Sequence, residues 1–108
     1  MFALTLQPRW LAVASMGSAR SYVAAAASQH RLYAIGGYNG QTVVSSVEVY
    51  YSQQWSALAS MNTARYYGLA ATTLEDDIFA LGGFTGSSYL NTVEVFDGAR
   101  WSFASSGP

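Results

Sequence analysis

Leu32-Tyr33-Ala34-Ile35-Gly36-Gly37-Tyr38-Asn39-Gly40 returns later in the chain as Ile78-Phe79-Ala80-Leu81-Gly82-Gly83-Phe84-Thr85-Gly86. A unit that occurs twice at a fixed spacing has to be a structure that stacks on its own copy, which removes most single-core folds from consideration. Trp10, Trp55 and Trp101 lie 45 and 46 residues apart, and the same period carries Met16 to Met61, Arg20 to Arg65, Gly36-Gly37 to Gly82-Gly83 and Glu48 to Glu94. The additional residue of the second copy is expected between Thr73 and Asp77, in a polar turn where an insertion disturbs a strand ladder least.

Each period contains four short strand candidates rich in β-branched and aromatic residues. In the first copy they are Tyr22 to Ala27, Leu32 to Ile35, Val47 to Tyr51 and Gln54 to Ala57. In the second they are Tyr67 to Thr72, Ile78 to Leu81, Val93 to Phe96 and Arg100 to Phe103. Turn-forming residues separate them: Ser28-Gln29-His30, Asn39-Gly40, Ser52-Gln53 and Asp97-Gly98. Ala24 to Ala27 could be helical by propensity, but its counterpart Leu69 to Thr73 includes two Thr, so the run reads as strand. The fold class is all-β.

Four strands in every 45 or 46 residues is the size of a propeller blade, and the chain resembles the kelch repeats. The marks are the double glycine after an apolar strand, Ser46-Val-Glu-Val-Tyr50 and Thr92-Val-Glu-Val-Phe96, the Trp of the fourth strand, and the Met-x-x-x-Arg leading into the next first strand. Together they cover roughly residues 9 to 103. The resemblance implies a partial β-propeller of two four-stranded antiparallel blades plus an N-terminal strand, Arg9 to Val13, left from a preceding blade. Residues 1–16 then form an N-terminal segment, 17–61 the first repeat and 62–108 the second. Tyr50 to Trp55 and Phe96 to Trp101 are closer than is usual in the family, so a tight turn is expected between the third and fourth strands.

In such a blade both sheet surfaces pack on neighbours, which explains why Leu32 to Ile35 lacks polar alternation. Gly36, Gly37, Gly82 and Gly83 are expected where chains approach too closely for a Cβ, and Trp55 and Trp101 in the packing between blades. Glu48 and Glu94 each stand between two Val on a covered strand, and a buried carboxylate needs a partner. Arg20 and Arg65 are the expected partners. Resemblance to peptide-binding kelch proteins gives these same arginines a competing role in binding, together with the aromatics after the double glycine, Tyr38 and Phe84. Tyr22, Tyr66 and Tyr67 adjoin them.

Charge narrows the function classes. Only 10% of residues are charged, with five Arg, no Lys and a net charge of −1, so no basic field exists to hold nucleic acid. Without Cys, neither disulfides nor thiolate metal sites can form, and the redox compartment stays open. The apolar start, Met1 to Gln7, lacks a basic flank and is broken at Pro8-Arg9, and no other run approaches a membrane-spanning length, so a cytoplasmic protein without a membrane partner is expected. The single histidine, His30, sits in a turn, and Glu75-Asp76-Asp77 lacks the spaced oxygen ligands of a calcium loop. No metal, cofactor or catalytic residue is expected.

The long loops between strands two and three, Tyr38 to Ser46 and Phe84 to Asn91, share one end of the blades with the connection Leu58 to Ala64. Binding residues gather on such loops. The expected function is therefore a non-catalytic protein-interaction module, whose partners by resemblance are an acidic or phosphorylated peptide, a cytoskeletal protein, or a substrate recruited to a ubiquitin ligase. Self-association to complete a propeller is a further expectation. The alternatives are a fragment of a larger propeller without independent function, and a blade pair of a catalytic or sugar-binding propeller.

Overall fold

The computed structural model describes residues 10–104. Eight strands form two separate four-stranded antiparallel sheets, each a meander in chain order. Blade 1 comprises β1 (Ala24–Ser28), β2 (Arg31–Ile35), β3 (Val47–Tyr51) and β4 (Gln54–Leu58). Blade 2 comprises β5 (Ala70–Leu74), β6 (Asp77–Leu81), β7 (Val93–Phe96) and β8 (Trp101–Phe103). The chain is a pair of propeller blades, and no helix occurs among the described residues.

Local chemistry fixes the turns. Gln29 and His30, at φ 53° and 63°, join β1 to β2, and Ser52 and Gln53, at φ 54° and 70°, join β3 to β4. Two consecutive left-handed residues match the right-handed twist of the strands they connect, which is what a two-residue hairpin requires. The expected tightness of the β3–β4 turn is thus present in blade 1. In blade 2, Asp97 draws the chain into a longer loop by accepting hydrogen bonds at Oδ1 from the N–H groups of Ala99 (2.9 Å) and Arg100 (3.0 Å). Arg100 consequently belongs to the loop and not to β8, where the sequence had placed it.

Three other expectations need correction. Tyr22 and Tyr67 do not open the first strands: Tyr22 has φ 55° and Gly68, after Tyr67, has φ 86°, so both segments bend before β1 and β5 begin. The additional residue of the second copy is not between Thr73 and Asp77. The β1–β2 and β5–β6 turns both hold two residues, with Ser28 paired to Arg31 and Leu74 paired to Asp77. It lies instead in Tyr67-Gly68-Leu69, which stands where the first copy has only Tyr22-Val23. Finally, the N-terminal strand is not formed: Arg9 lies outside the described residues, and Trp10 to Val13 is not in a strand, with the Trp10 side chain fully exposed. A fourth strand pairs with a third, and no third strand stands beside it among the described residues.

The core lies between the blades, where β1 runs beside β5. From blade 1, the cross-strand rows Ala24–Ile35–Val47 and Ala26–Tyr33–Val49 point into it. Blade 2 answers with Ile78, Ala80, Phe96 and Trp101, and Met61 closes the cluster from the connection between them. Because the core is shared, neither sheet buries its apolar surface alone.

Candidate interaction surface

The strands run up and down, so the β1–β2, β3–β4, β5–β6 and β7–β8 turns gather at one end of the blades. The β2–β3 and β6–β7 loops and the connections into β1 and β5 gather at the other. At this loop end, a small bridge ladder repeats in each copy. Tyr38 bridges Ser21 and Val43 in the first, and Phe84 bridges Tyr66 and Tyr89 in the second. The double glycines make the ladders fit. A Cβ on Gly37 would lie 2.9 Å from the Ser21 carbonyl oxygen, and one on Gly83 would lie 2.8 Å from that of Tyr66.

The ladders align aromatic rings across the repeat boundary. Tyr66 is central: its ring centroid is 6.0 Å from Tyr22, 5.6 Å from Tyr38, 6.4 Å from Tyr67 and 5.9 Å from Phe84. Tyr22 and Tyr67 meet edge to face at 5.2 Å, and Phe84 and Tyr89 stand 4.6 Å apart. Five rings named from sequence, Tyr22, Tyr38, Tyr66, Tyr67 and Phe84, therefore form one contiguous cluster with Tyr89. Tyr22, Tyr67 and Tyr89 present exposed rings, Tyr89 the most at 76%. Sequence reasoning missed Tyr89 because it looked for recurring residues, and the first copy has Val43 at that position.

The loops beneath the rings are internally braced. Asn39 Oδ1 accepts from the N–H groups of Gln41 and Thr42, both at 2.9 Å. Thr85 Oγ1 does the same for Ser87 (3.3 Å) and Ser88 (3.1 Å) one repeat later. Bracing of this kind lowers the ordering cost that a loop pays on binding.

The arginines are elsewhere. The Arg65 side chain has no solvent exposure. Its guanidinium donates to Glu94 Oε2 from Nε (3.3 Å) and Nη2 (2.9 Å), to the carbonyls of Gly82 (3.0 Å) and Thr92 (2.8 Å) from Nη1, and to Thr92 Oγ1 (3.1 Å) from Nη2. Every N–H it owns is taken. Arg20 repeats the pattern with Glu48 Oε2 (3.0 Å) and the carbonyls of Gly36 (2.9 Å) and Ser46 (3.0 Å). Both pairs form within one repeat, and both guanidiniums face inward from the aromatic cluster.

Each carboxylate also holds the connection that precedes its blade. Glu48 Oε1 accepts from Gly17 N–H at 2.6 Å, and Glu94 accepts from the N–H groups of Asn62 (2.6 Å) and Thr63 (3.0 Å). Burial is the largest influence on the Glu48 carboxyl and would raise its pKa. The Gly17 hydrogen bond, the Arg20 guanidinium and the Ser18 N–H together outweigh it and hold the pKa below the ordinary value. The indoles make matching links: Trp55 Nε1 donates to the Ala14 carbonyl (2.8 Å) and Trp101 Nε1 to that of Ala59 (2.9 Å), while their rings pack at a tilt, centroids 5.3 Å apart, against Tyr50 and Phe96.

Apart from the two inward pairs, the charged side chains of the described residues lie at the turn end: Arg31, Glu75, Asp76, Asp77, Asp97 and Arg100. His30 is exposed there too. Among the described residues, no group of three or more His, Cys, Asp or Glu side chains converges as a metal site would require.

Two antiparallel four-stranded sheets, joined through a shared apolar seam and marked by the same Arg–Glu pair, define a repeat of the β-propeller class. The kelch motif matches residues 19–62 and 65–108, and the chain belongs to the kelch-repeat family. A solved structure described as "Structure of YjhT" has the same fold, with a TM-score of 0.80 at 18% sequence identity. The likeness covers 93% of this chain and 42% of that one, so the present chain spans less than half of its length. No curated protein matches the sequence.

Proposed function

We propose that the chain is a non-catalytic protein-interaction module that takes a partner segment at its loop end, on the Tyr22–Tyr38–Tyr66–Tyr67–Phe84–Tyr89 cluster. The observation that carries this reading is the coincidence of clustering with charge segregation. Six aromatic rings from four separate loop segments meet at the loop end, and the nearest arginines are consumed inside the blades. Tyr supplies large, rigid contact area with a polar tip, which is why it is enriched at binding hot spots.

The same observation narrows the partner. An acidic or phosphorylated peptide needs available guanidinium or ammonium groups, and this surface offers hydroxyls, amides and ring faces instead. The partner segment is uncharged and extended, rich in proline or aliphatic residues that lie against aromatic rings. Cytoplasmic residence and an adaptor role fit this reading without being required by it.

Selection from a random peptide library, followed by titration of a selected peptide, tests the proposal. Uncharged binders are expected, with affinity nearly independent of salt, reduced at least tenfold by Tyr67→Ala or Tyr22→Ala, and unchanged by Arg31→Ala. Selection of acidic peptides whose binding falls with salt, or indifference to both tyrosine substitutions, would overturn it.

A further inference from the structure

The seam between the blades is a template for the two blade surfaces that have no neighbour among the described residues. Across it, Gly37 N–H donates to the Arg65 carbonyl (2.8 Å), Met61 N–H to that of Ser45 (2.9 Å) and Arg65 N–H to that of Val44 (3.4 Å). A socket beside Gly36 receives blade 2: a Cβ there would lie 2.5 Å from the Arg65 carbonyl oxygen, 3.0 Å from the Leu69 side chain and 3.2 Å from that of Met61. Met61, Arg65 and Leu69 are thus the plug that enters blade 1.

One repeat later the socket is open. A Cβ on Gly82 meets only its own blade's Leu90 carbonyl, at 3.2 Å. The groups equivalent to the seam's acceptors and donor, the Leu90 and Asn91 carbonyls and Gly83 N–H, have no hydrogen-bond partner among the described residues. Beside them stands the apolar surface of blade 2 that corresponds to the buried rows of blade 1, with Ala70, Thr72 and Leu81 exposed. One repeat earlier the plug is also uncovered by the described residues. Met16, Arg20 and Val23 correspond to Met61, Arg65 and Leu69, and the N–H groups of Met16 and Arg20 and the Arg20 carbonyl are likewise unpartnered among the described residues. Val23, Leu32, Ala34 and Trp55 line a cleft of about 580 Å³ on that side.

We infer that the chain binds a second copy of itself head to tail, the Gly82–Gly83 socket of one copy receiving Met16, Arg20 and Val23 of the next. The occupant follows from the seam: plug and socket are two halves of one interface already present in the fold, and both are carried by every copy. A contact between two different surfaces repeats until it closes a ring. Because each copy adds two blades and closed propellers hold roughly four to eight, closure takes roughly two to four copies. The surface runs along the blade flanks and adjoins the aromatic cluster at Gly83–Phe84 and Val23–Tyr22, but association is read as mass and the proposed peptide site as titration of the Leu81→Asp monomer, so the two can fail separately.

Light scattering across a concentration series, with circular dichroism, tests this on the intact chain. The expected result is a discrete species of two to four times the 11.6 kDa chain mass. Leu81→Asp in the socket and Val23→Asp in the plug should each return the chain to monomer with unchanged dichroism, since both side chains are exposed in a single copy. Mixing the two variants should then give a two-chain species, because one intact socket and one intact plug remain. A folded monomer at every concentration, an oligomer indifferent to both substitutions, a mixture that stays monomeric, or a chain that only aggregates would overturn the inference.

Discussion

Arg65 and Glu94 occupy the deepest polar site in the molecule, and their energetics follow from having no water to fall back on. Removing either partner leaves a buried charge and several backbone groups without hydrogen bonds, a loss of about 3–5 kcal/mol. Arg65→Ala and Glu94→Ala should each cost about that much in denaturant unfolding, while the double variant costs clearly less than their sum, a coupling of about 1–3 kcal/mol. Additive losses would show that the two side chains act independently. The Glu48 carboxyl, whose pKa is lowered in the fold, adds a pH dependence. A depressed folded pKa means that the stabilisation is fully present above the ordinary glutamate value and is lost as pH falls through the folded one. Unfolding midpoints of the native chain should therefore drop from neutral pH into the acid range, and Glu48→Gln should flatten part of that drop.

The double glycine has the same sequence in both blades but not the same surroundings. Gly36 and Gly82 have nearly the same φ, 65° and 66°, yet only Gly36 is pressed against another blade's backbone. Gly36→Ala should cost both the left-handed strain, about 1–2 kcal/mol, and the displacement of the Arg65 carbonyl. Gly82→Ala in a monomeric background such as Leu81→Asp should cost the strain and only a milder contact with the Leu90 carbonyl, at 3.2 Å, so thermal unfolding should rank Gly36→Ala as clearly the worse. Such differences mark how far sequence could be read. The four strands per repeat, the Arg–Glu pairing and the rings of Tyr22, Tyr67, Tyr38 and Phe84 were legible because each recurs at the period, and Tyr66, whose counterpart is Ser21, was legible only as the neighbour of Tyr67. Tyr89 was not, since its counterpart is Val43, and the additional residue was misplaced because a polar turn is the usual site of insertion, whereas Gly68 at φ 86° absorbs it in the connection before β5. Trp10 carried the sequence signature of a fourth strand, but a signature does not supply the strand it pairs with.

The two blades share one core, so they should unfold together. Ile78 is almost fully buried at the seam, and Ile78→Ala in blade 2 should cost about 2–5 kcal/mol. Probes in blade 1 and blade 2 should shift to a common lower midpoint; two separate transitions would mean that the blades are independent folding units. The indole links supply such probes without labels. Trp10, Trp55 and Trp101 hold the same place in the repeat yet sit at three depths, from fully solvated through half-buried to 6% exposed. Their emission should run from red to blue in that order, so the chain carries a built-in optical ruler. Its water-facing end is a reference, and its inner end brightens or dims with the state of the seam.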